Sequence, residues 1–243
     1  MKKYIILLAV PFLFYCGQHA GHMEKSSQEP VQTAQSFEAD TAAACPSIQE
    51  NFEKQVPGKL PENWVQDFTG RGSGTHWEVK VDNGNHVLAQ LSGHQPNYHF
   101  NLAVYSGARC LNPALSVRFK AVKGRKDQGG GLVWRYLDRN HYYVVRANPL
   151  EDNVVLYKVV NGRRTDLPVL GKGRTYGVKV EPLGKKWHRL DVSVQGSLFT
   201  VYLDGKELFS VQDSSITRAG LTGLWTKADA VTYFDNFSIK NNR

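Results

Sequence analysis

The chain has 243 residues, of which 41% are hydrophobic and 21% charged, and its formal net charge is +8 at pH 7. Beyond residue 44, about 200 residues remain, which is enough for one sizeable hydrophobic core. The longest apolar run lies near the N-terminus and falls short of the roughly 20 residues that a membrane-spanning helix requires. The composition therefore argues against a helical membrane protein.

Residues 1–16 are typical of a secretory signal peptide. Two lysines precede an apolar run that ends at Tyr15, which is the order of a charged n-region and an apolar h-region. Cys16 follows this run, and its position predicts a lipoprotein whose lipid is carried by that thiol. The bulky Tyr15 favours simple secretion instead. We therefore expect an exported protein, either a periplasmic or membrane-anchored lipoprotein or a secreted one, that meets a membrane only through such an anchor.

Residues 17–44 are predicted to form a disordered tether, and residues 45–243 a folded domain. The tether is rich in Ala, Ser, Gln and Glu and has no apolar periodicity, so it cannot bury enough surface to offset its chain entropy. The domain contains Cys45 and Cys110. In an oxidising compartment this even pair predicts a Cys45–Cys110 disulfide. The alternative is two buried free thiols.

Short strands separated by turn residues fill the domain, with almost no helical periodicity. In one of them, alternation places Tyr142, Val144 and Arg146 on one face of the strand. Tyr143 and Val145 then lie on the other face, since successive side chains of a strand point in opposite directions.

Two dipeptides, Asn161-Gly162 and Asp204-Gly205, predict hairpin turns because each can adopt the positive φ that tight hairpins require. Residues 173–182 are predicted to form a further strand. The chain thus contains a dozen or so strands and no crossover helices. Such a pattern predicts two antiparallel sheets packed face to face, an all-β sandwich.

Basic residues are concentrated in the middle of the chain. Between residues 118 and 189, Lys and Arg outnumber Asp and Glu by 17 to 6. Many lie in loop-like runs such as Arg163-Arg164, which are either solvated hairpin ends or contacts with an anionic surface of the cell envelope. The expected export argues against nucleic acid as the partner.

Three segments carry a family resemblance. Residues 51–53 with 58–64 resemble the opening strand of bacterial laminin-G-like and concanavalin A-like domains. Residues 187–192 and 202–206 resemble their W-H-x-L-x-V and Y-L-D-G hairpin, and residues 223–225 and 233–237 resemble their closing strands. The similarity covers essentially residues 50–240 and implies a concanavalin A-like jelly roll. The chain also resembles the bacterial 3-keto-disaccharide hydrolase-like domain family, which shares this jelly roll.

Catalytic residues stay unassigned at this point. Jelly-roll glycoside hydrolases of one type carry a Glu-x-Asp-x-x-Glu strand motif that supplies two carboxylates, and the sequence lacks this spacing. A Gly-x-Ser-x-Gly nucleophile elbow is also missing. We therefore expect a carbohydrate- or glycoconjugate-binding protein of the cell envelope. The alternatives are a hydrolase or lyase of oxidised disaccharides and a structural envelope protein.

The segment richest in candidate ligand-binding residues is 128–158, where aromatic residues stand beside Arg and Asn. Aromatic rings stack on the apolar face of a pyranose, and bidentate donors hold its hydroxyls or an acidic substituent. The alternative is that Trp134 and Tyr143 pack in the core while the arginines are solvated. A late strand adds two candidates. The predicted ligand-binding residues are Trp134, Arg135, Tyr142, Arg146, Asn148, Glu151, Lys158, Trp225 and Lys227.

Asp235 and Glu53 are candidate ligands of a structural calcium ion. The expectation rests on the resemblance, because sandwiches of this kind often bind one calcium near their terminal strands. The alternative for Asp235 is that it caps a turn or accepts backbone hydrogen bonds. No other cofactor is expected.

Overall fold

The computed structural model describes residues 45–242. The predicted signal peptide over residues 1–16, the lipidated Cys16 and the tether over residues 17–44 lie outside the described residues and stay predictions. All regular structure in the described part is β-strand. None of these residues belongs to a helix long and apolar enough to cross a membrane.

The described residues form sixteen strands, which are short and closely spaced along the chain. In chain order they are β1 (Ile48–Glu50), β2 (Trp64–Gly70), β3 (Trp77–Asp82), β4 (Asn85–Gln90), β5 (His99–Cys110), β6 (Pro113–Lys123), β7 (Gly130–Asp138), β8 (His141–Asn148), β9 (Asn153–Val160), β10 (Arg163–Asp166), β11 (Val178–Lys179), β12 (Trp187–Gln195), β13 (Leu198–Leu203), β14 (Lys206–Gln212), β15 (Gly220–Lys227) and β16 (Val231–Asn241).

These strands build two sheets in which every pairing between strands is antiparallel. The first sheet has the order β14-β13-β12-β6-β16-β4-β3, with β1 paired to β16, and the second has the order β10-β9-β8-β7-β15-β5-β2, with β11 paired to β9. Non-consecutive neighbours such as β6 and β16 show that the chain alternates between the sheets. The predicted all-β jelly-roll sandwich is confirmed.

The main core lies between the two sheets and confirms the predicted alternation. Tyr143 and Val145 of β8 point into it, whereas Tyr142 and Val144 point away. Trp134 stacks on Tyr143 with ring centroids 5.5 Å apart. Burial of each large apolar side chain contributes about 1.5–3 kcal/mol to stability, so the interdigitated rings hold the sheets together.

A second apolar cluster covers the outer face of the second sheet, the face that points away from the first sheet. It includes Phe100, Tyr142, Tyr157 and Trp225, all of which are buried. The sheet curls strongly enough that the Tyr142 hydroxyl on β8 lies 2.8 Å from Thr69 Oγ1 on β2, although three strands separate β8 from β2. This outer face is therefore concave and largely closed.

The strand predicted over residues 173–182 is mostly a loop, and only Val178–Lys179 pairs with β9. Gly173 and Gly177 have φ values of +76° and +74°, and Tyr176 between them has φ +55°. Left-handed backbone at these positions cannot continue a β-ladder. The segment leaves the sheet as a result and presents Tyr176 to solvent.

Cys45 and Cys110 are both buried free thiols, so the predicted disulfide is not formed in this structure. The two thiols are neighbours, and burial together with the hydrogen bond to Cys45 raises the pKa of Cys110 well above its usual range. The N-terminal edge is held by the pairing of β1 with β16 and by apolar packing rather than by a covalent bond.

Candidate functional site

Trp134 and Lys158 lie on the inner side of the second sheet, away from its concave face. Trp134 is fully buried in the main core. Lys158 Nζ lies 2.8 Å from Asp213 Oδ2 and 2.7 Å from Ser215 Oγ, which ties β9 to the loop after β14. These two predicted ligand residues therefore serve the fold in this structure, because the strand register turns them toward the sandwich interior.

Arg135 occupies an irregularity of β7 and has φ +48°. Its guanidinium donates hydrogen bonds to the carbonyl oxygens of Leu111, at 3.0 Å, and Ile216, at 2.7 Å. Burial lowers the pKa of this side chain. Because its donors are used by backbone carbonyls, Arg135 joins three chain segments and is not directed at a ligand.

Tyr142 and Trp225 share the concave face with Arg146, as predicted, but both rings are fully buried. The guanidinium of Arg164 covers the cluster, with its Cζ 4.3 Å from the ring centroid of Tyr157 and 5.7 Å from that of Trp225. The backbone N–H of Arg164 also donates to the Tyr98 hydroxyl. The protein's own arginine fills the place where the sequence predicts a stacked sugar.

Arg146 is the buried charge of the site, with only 2% of its surface exposed. Its Nη2 donates to Glu151 Oε2 at 2.7 Å and to the Tyr157 hydroxyl at 3.1 Å, and its Nη1 donates to the amide oxygen of Asn153. Burial opposes the charge, but Tyr157 and Glu151 outweigh it and raise the pKa of Arg146. The guanidinium thus anchors the start of β9.

The Glu151 carboxylate lies at the boundary between this buried network and solvent, with 37% of its side chain exposed. Its partial burial opposes ionisation, but the Arg146 charge and hydrogen bond lower the pKa of Glu151 overall. Asn148 shapes the turn that carries it, since its side-chain oxygen accepts from the Leu150 N–H at 3.0 Å. Glu151 is therefore an ionised, partly exposed acceptor.

Lys227 stands at the end of β15 on the same side of the sheet. Its Nζ lies 3.2 Å from Asp127 Oδ2, while the other Asp127 oxygen accepts the Gly129 N–H at 2.8 Å. Lys227 also helps to lower the pKa of Glu151. The structure thus gathers four charged groups here, two of each sign, of which Lys227, Arg146 and Glu151 were predicted.

A cavity of about 470 Å³ opens beside Glu151, at the edge of β9. Its wall on the far side is the loop that the sequence predicted as a strand. Tyr176 stands at the rim with 45% of its surface exposed, and its hydroxyl accepts a hydrogen bond from Tyr157 at 3.0 Å. The lining residues are Leu150, Glu151, Asn153, Thr175, Tyr176, Gly177 and Lys179.

The loop sits close to β9 because Gly177 has no side chain. A Cβ at this position would lie 2.1 Å from the Val154 carbonyl oxygen. Lys179 fixes the other side of the cavity, since its Nζ donates to the Glu151 carbonyl at 2.6 Å. Sequence reasoning missed Tyr176 and Lys179. The signal was present in the glycines of residues 171–177, which interrupt the strand pattern.

The two predicted calcium ligands face protein donors. Asp235 is nearly buried, and its Oδ2 accepts from the side-chain amides of Asn85 at 3.3 Å and Asn236 at 3.2 Å. Glu53 Oε1 accepts from the His86 N–H at 3.1 Å. Burial raises the pKa of Asp235. Within residues 45–242, no group of three or more His, Cys, Asp or Glu side chains is placed to hold a metal ion. Calcium binding stays a prediction.

The two packed antiparallel sheets form a lectin-like β-sandwich, and a comparison with protein-family models finds a lectin domain as well. Residues 157–242 match the model of the galactocerebrosidase C-terminal lectin domain, which is less than half of the 243-residue chain. The matched stretch contains Tyr176 and Lys179 of the cavity. A comparison with curated proteins finds no match.

Several solved structures share the fold. The carbohydrate binding module CBM66 from Bacillus subtilis is 19% identical, with a TM-score of 0.56 over 74% of this chain and 96% of that one. A Bacillus subtilis protein of unknown function with a galectin-like fold is 8% identical, with a TM-score of 0.51 over 82% and 97%. The carbohydrate recognition domain of Emp47p is 12% identical, with a TM-score of 0.51 over 82% and 98%. At these identities the likeness concerns the fold alone.

Proposed function

We propose that residues 45–243 form a carbohydrate-binding module of an exported protein and that a glycan binds in the cavity between Glu151 and Tyr176. The observation that carries the proposal is an exposed aromatic ring beside an ionised carboxylate at the mouth of a cavity of about 470 Å³. A volume of this size is in the range of small-molecule sites. Structural relatives named as carbohydrate-binding proteins support the same reading.

Each group at the cavity has a role in this proposal. The Tyr176 ring would stack on the apolar face of one sugar unit. The partly exposed Glu151 carboxylate would accept hydrogen bonds from sugar hydroxyls, and charged acceptors make the stronger bonds. Lys179 lines the opposite wall and would favour a glycan with an acidic substituent. Arg146 acts indirectly, because it fixes the Glu151 carboxylate.

Binding is a better proposal than hydrolysis because Glu151 is the single carboxylate that lines the cavity. Its neighbour Asp152 turns away and accepts the Leu183 N–H at 3.1 Å. Glycosidases of the usual kind need two carboxylates flanking the bond that breaks. The alternative proposal, a hydrolase or lyase of oxidised disaccharides, would assign Glu151 as a base.

A glycan array with the purified domain tests the proposal, followed by calorimetric titration of the best ligand. We expect Tyr176→Ala to weaken that ligand about tenfold, because stacking contributes about 1 kcal/mol and desolvated contacts add to it. Tyr176→Phe keeps the ring and should retain most of the affinity.

Leu170→Ala is the matched control, because Leu170 is 47% exposed in the same loop but does not line the cavity. It should bind like the unmodified protein. Absence of binding to every neutral and acidic glycan would sink the proposal. Turnover of an oxidised disaccharide that Glu151→Gln abolishes would replace it with the hydrolytic alternative.

The location of the protein is part of the proposal. A signal peptide over residues 1–16 and a lipid on Cys16 would place the module at the cell envelope, with residues 17–44 as the tether. Simple secretion is the alternative. Labelling cells with a radioactive fatty acid separates the two, because Cys16→Ala would abolish incorporation only in a lipoprotein.

A further inference from the structure

A second surface, on the outer face of the first sheet, carries a regular arrangement of cations and aromatic rings. Trp187 on β12, Lys120 on β6 and Tyr233 on β16 stand in direct register across three strands. In the adjoining row Arg189 stands opposite Arg118. We refer to these five residues as the basic face.

The rings of the basic face hold its cations in place. Lys120 Nζ lies 5.1 Å from the ring centroid of Trp187 and 5.5 Å from that of Tyr233. The Arg118 guanidinium carbon lies 5.2 Å from the Trp187 ring. Cation–π contacts of this kind restrict long side chains, so less conformational entropy is lost when a ligand binds them.

Arg118 and Arg189 form a like-charged pair at directly opposed positions of neighbouring strands, and such pairs destabilise a sheet. Arg189 is partly compensated by Asp191, whose Oδ2 lies 3.0 Å from its Nε. Arg118 is exposed, and on its other side it stands opposite Asp235 of β16, a nearly buried carboxyl group with which it forms no ion pair. An anionic group bound between the two guanidiniums would relieve this repulsion.

The surface also offers hydrogen-bond acceptors. Asp82 pairs with Lys120 at one end. At the other end a shallow cavity of about 360 Å³ is lined by Arg189, Asp191 and Tyr202, among others. Carboxylates among the cations can accept hydrogen bonds from sugar hydroxyls, which a polysaccharide has on its units and a DNA backbone lacks. The two rings of the row are two strands apart, about 10 Å, which suits an extended chain of linked sugars.

We propose that the basic face is a second binding site, which takes an acidic polysaccharide with carboxylate or sulfate groups along an extended chain. It uses the opposite sheet from the Glu151 cavity and does not depend on it. A membrane surface is a poorer occupant because interfacial binding draws on buried apolar area as well as on charge. The most exposed large apolar side chains lie off the basic face. Two of them belong to this sheet, Val81 on the edge strand β3 and Leu198 at the start of β13.

Affinity electrophoresis through gels that contain polygalacturonate, dextran sulfate or neutral dextran tests this proposal. We expect retardation by an acidic polymer and none by dextran, and the two acidic gels separate carboxylate from sulfate recognition. Arg118→Gln should weaken the retardation about tenfold, since it removes charge-assisted hydrogen bonds. Its melting temperature should be unchanged or higher, because the like-charged pair is removed.

Lys206→Gln is the matched control, because Lys206 is an exposed cation of the same sheet outside the basic face. It should leave retardation nearly unchanged, and so should Tyr176→Ala in the other site. Equal losses in Arg118→Gln and Lys206→Gln would mean that net charge alone causes binding and would overturn the proposal. Retardation by neither acidic polymer would overturn it, and so would tighter binding to single-stranded DNA or to anionic vesicles.

Discussion

Arg146 carries a full charge in a position with 2% exposure, and its surroundings explain how the fold tolerates it. Glu151, Tyr157 and Asn153 accept its hydrogen bonds. Breaking a buried ion pair by removing one partner leaves an uncompensated charge, which is strongly destabilising. The effect of losing the Glu151 charge is smaller than for a fully buried pair, because more than a third of that side chain is exposed.

His141 makes a second polar network, at the turn between β7 and β8. Its Nδ1 lies 3.0 Å from Asp138 and its Nε2 3.0 Å from Asn161 Oδ1. The hydrogen bond to Asp138 raises the pKa of His141. Burial opposes the charge on Asp138, but hydrogen bonds from Asn140 and His141 lower the pKa of Asp138 overall.

The sign of the pH dependence follows from these shifts. The raised pKa of His141 stabilises the fold fully below its unfolded value of about 6.5, and the contribution is lost as pH rises through the folded value. Asp138, whose pKa is lowered, stabilises the fold fully above its unfolded value of about 3.9, and this contribution is lost as pH falls through the folded value. We expect the pair to contribute most to stability between these two pH values.

NMR titration should show a lower His141 pKa in Asp138→Asn. It should show no change in Asp191→Asn, which alters a charge on the other sheet. An unaltered His141 pKa in Asp138→Asn would contradict the assignment.

Cys45 and Cys110 define a third residue-scale prediction. Cys110 is fully buried and its thiol pKa is raised by burial, so little reactive thiolate forms near neutral pH. We expect no alkylation of either thiol in the native protein and alkylation of both in denaturant without reductant, measured by intact mass. Protection that persists in denaturant and disappears only after reduction would restore the disulfide predicted from the sequence.

At the scale of elements, the loop over residues 170–177 determines whether the Glu151 cavity exists. It turns away from the sheet through left-handed positions and approaches β9 at Gly177. The loop buries little apolar surface, since its two large apolar side chains, Leu170 and Tyr176, are both exposed. The position of the Tyr176 ring therefore depends on backbone geometry at a few residues.

Gly177→Ala tests this dependence. The added Cβ would lie 2.1 Å from the Val154 carbonyl oxygen at a φ of +74°. We expect a loss of at least about 2 kcal/mol in unfolding free energy together with weaker glycan binding. Gly171→Ala is the matched control, because Gly171 has the same φ of +74° with nothing within 4 Å of its Cβ. It should lose only about 1 kcal/mol. Equal losses in the two variants would show that φ strain, and not the contact with β9, holds the loop.

At the scale of the whole molecule, the curl of the second sheet decides which surfaces are open. Curling brings β2 and the β9–β10 hairpin over the concave face, where Arg164 lies against the Tyr157 and Trp225 rings. The first sheet leaves its outer face open, and there the rings stay partly exposed beside cations. The two proposed glycan sites therefore lie at the rim of the second sheet, in the Glu151 cavity, and on the outer face of the first sheet, at the basic face.

Local sequence pattern and tertiary structure determine different features of this protein. Alternation and turn chemistry suffice for the two antiparallel sheets and for the opposite facing of Tyr142 and Tyr143, because a period of two fixes the face of each side chain. The sequence also placed Arg146 and Glu151 in one segment of candidate ligand residues, but their ion pair is seen only in the structure.

The remaining assignments needed the tertiary structure, for three physical reasons. Which face of a sheet stays open depends on curl between distant strands, so the sequence alone does not reveal that Tyr142 and Trp225 are covered by Arg164. A guanidinium finds its partners in space, and only the fold shows Arg135 serving distant carbonyls. A left-handed turn at Tyr176 and Gly177 depends on contact with β9, and this contact converts a predicted strand into the rim of the cavity. The sequence by itself thus determined the sandwich and the alternation of its strands, whereas the tertiary structure decided which charged groups pair and where a glycan has room to bind.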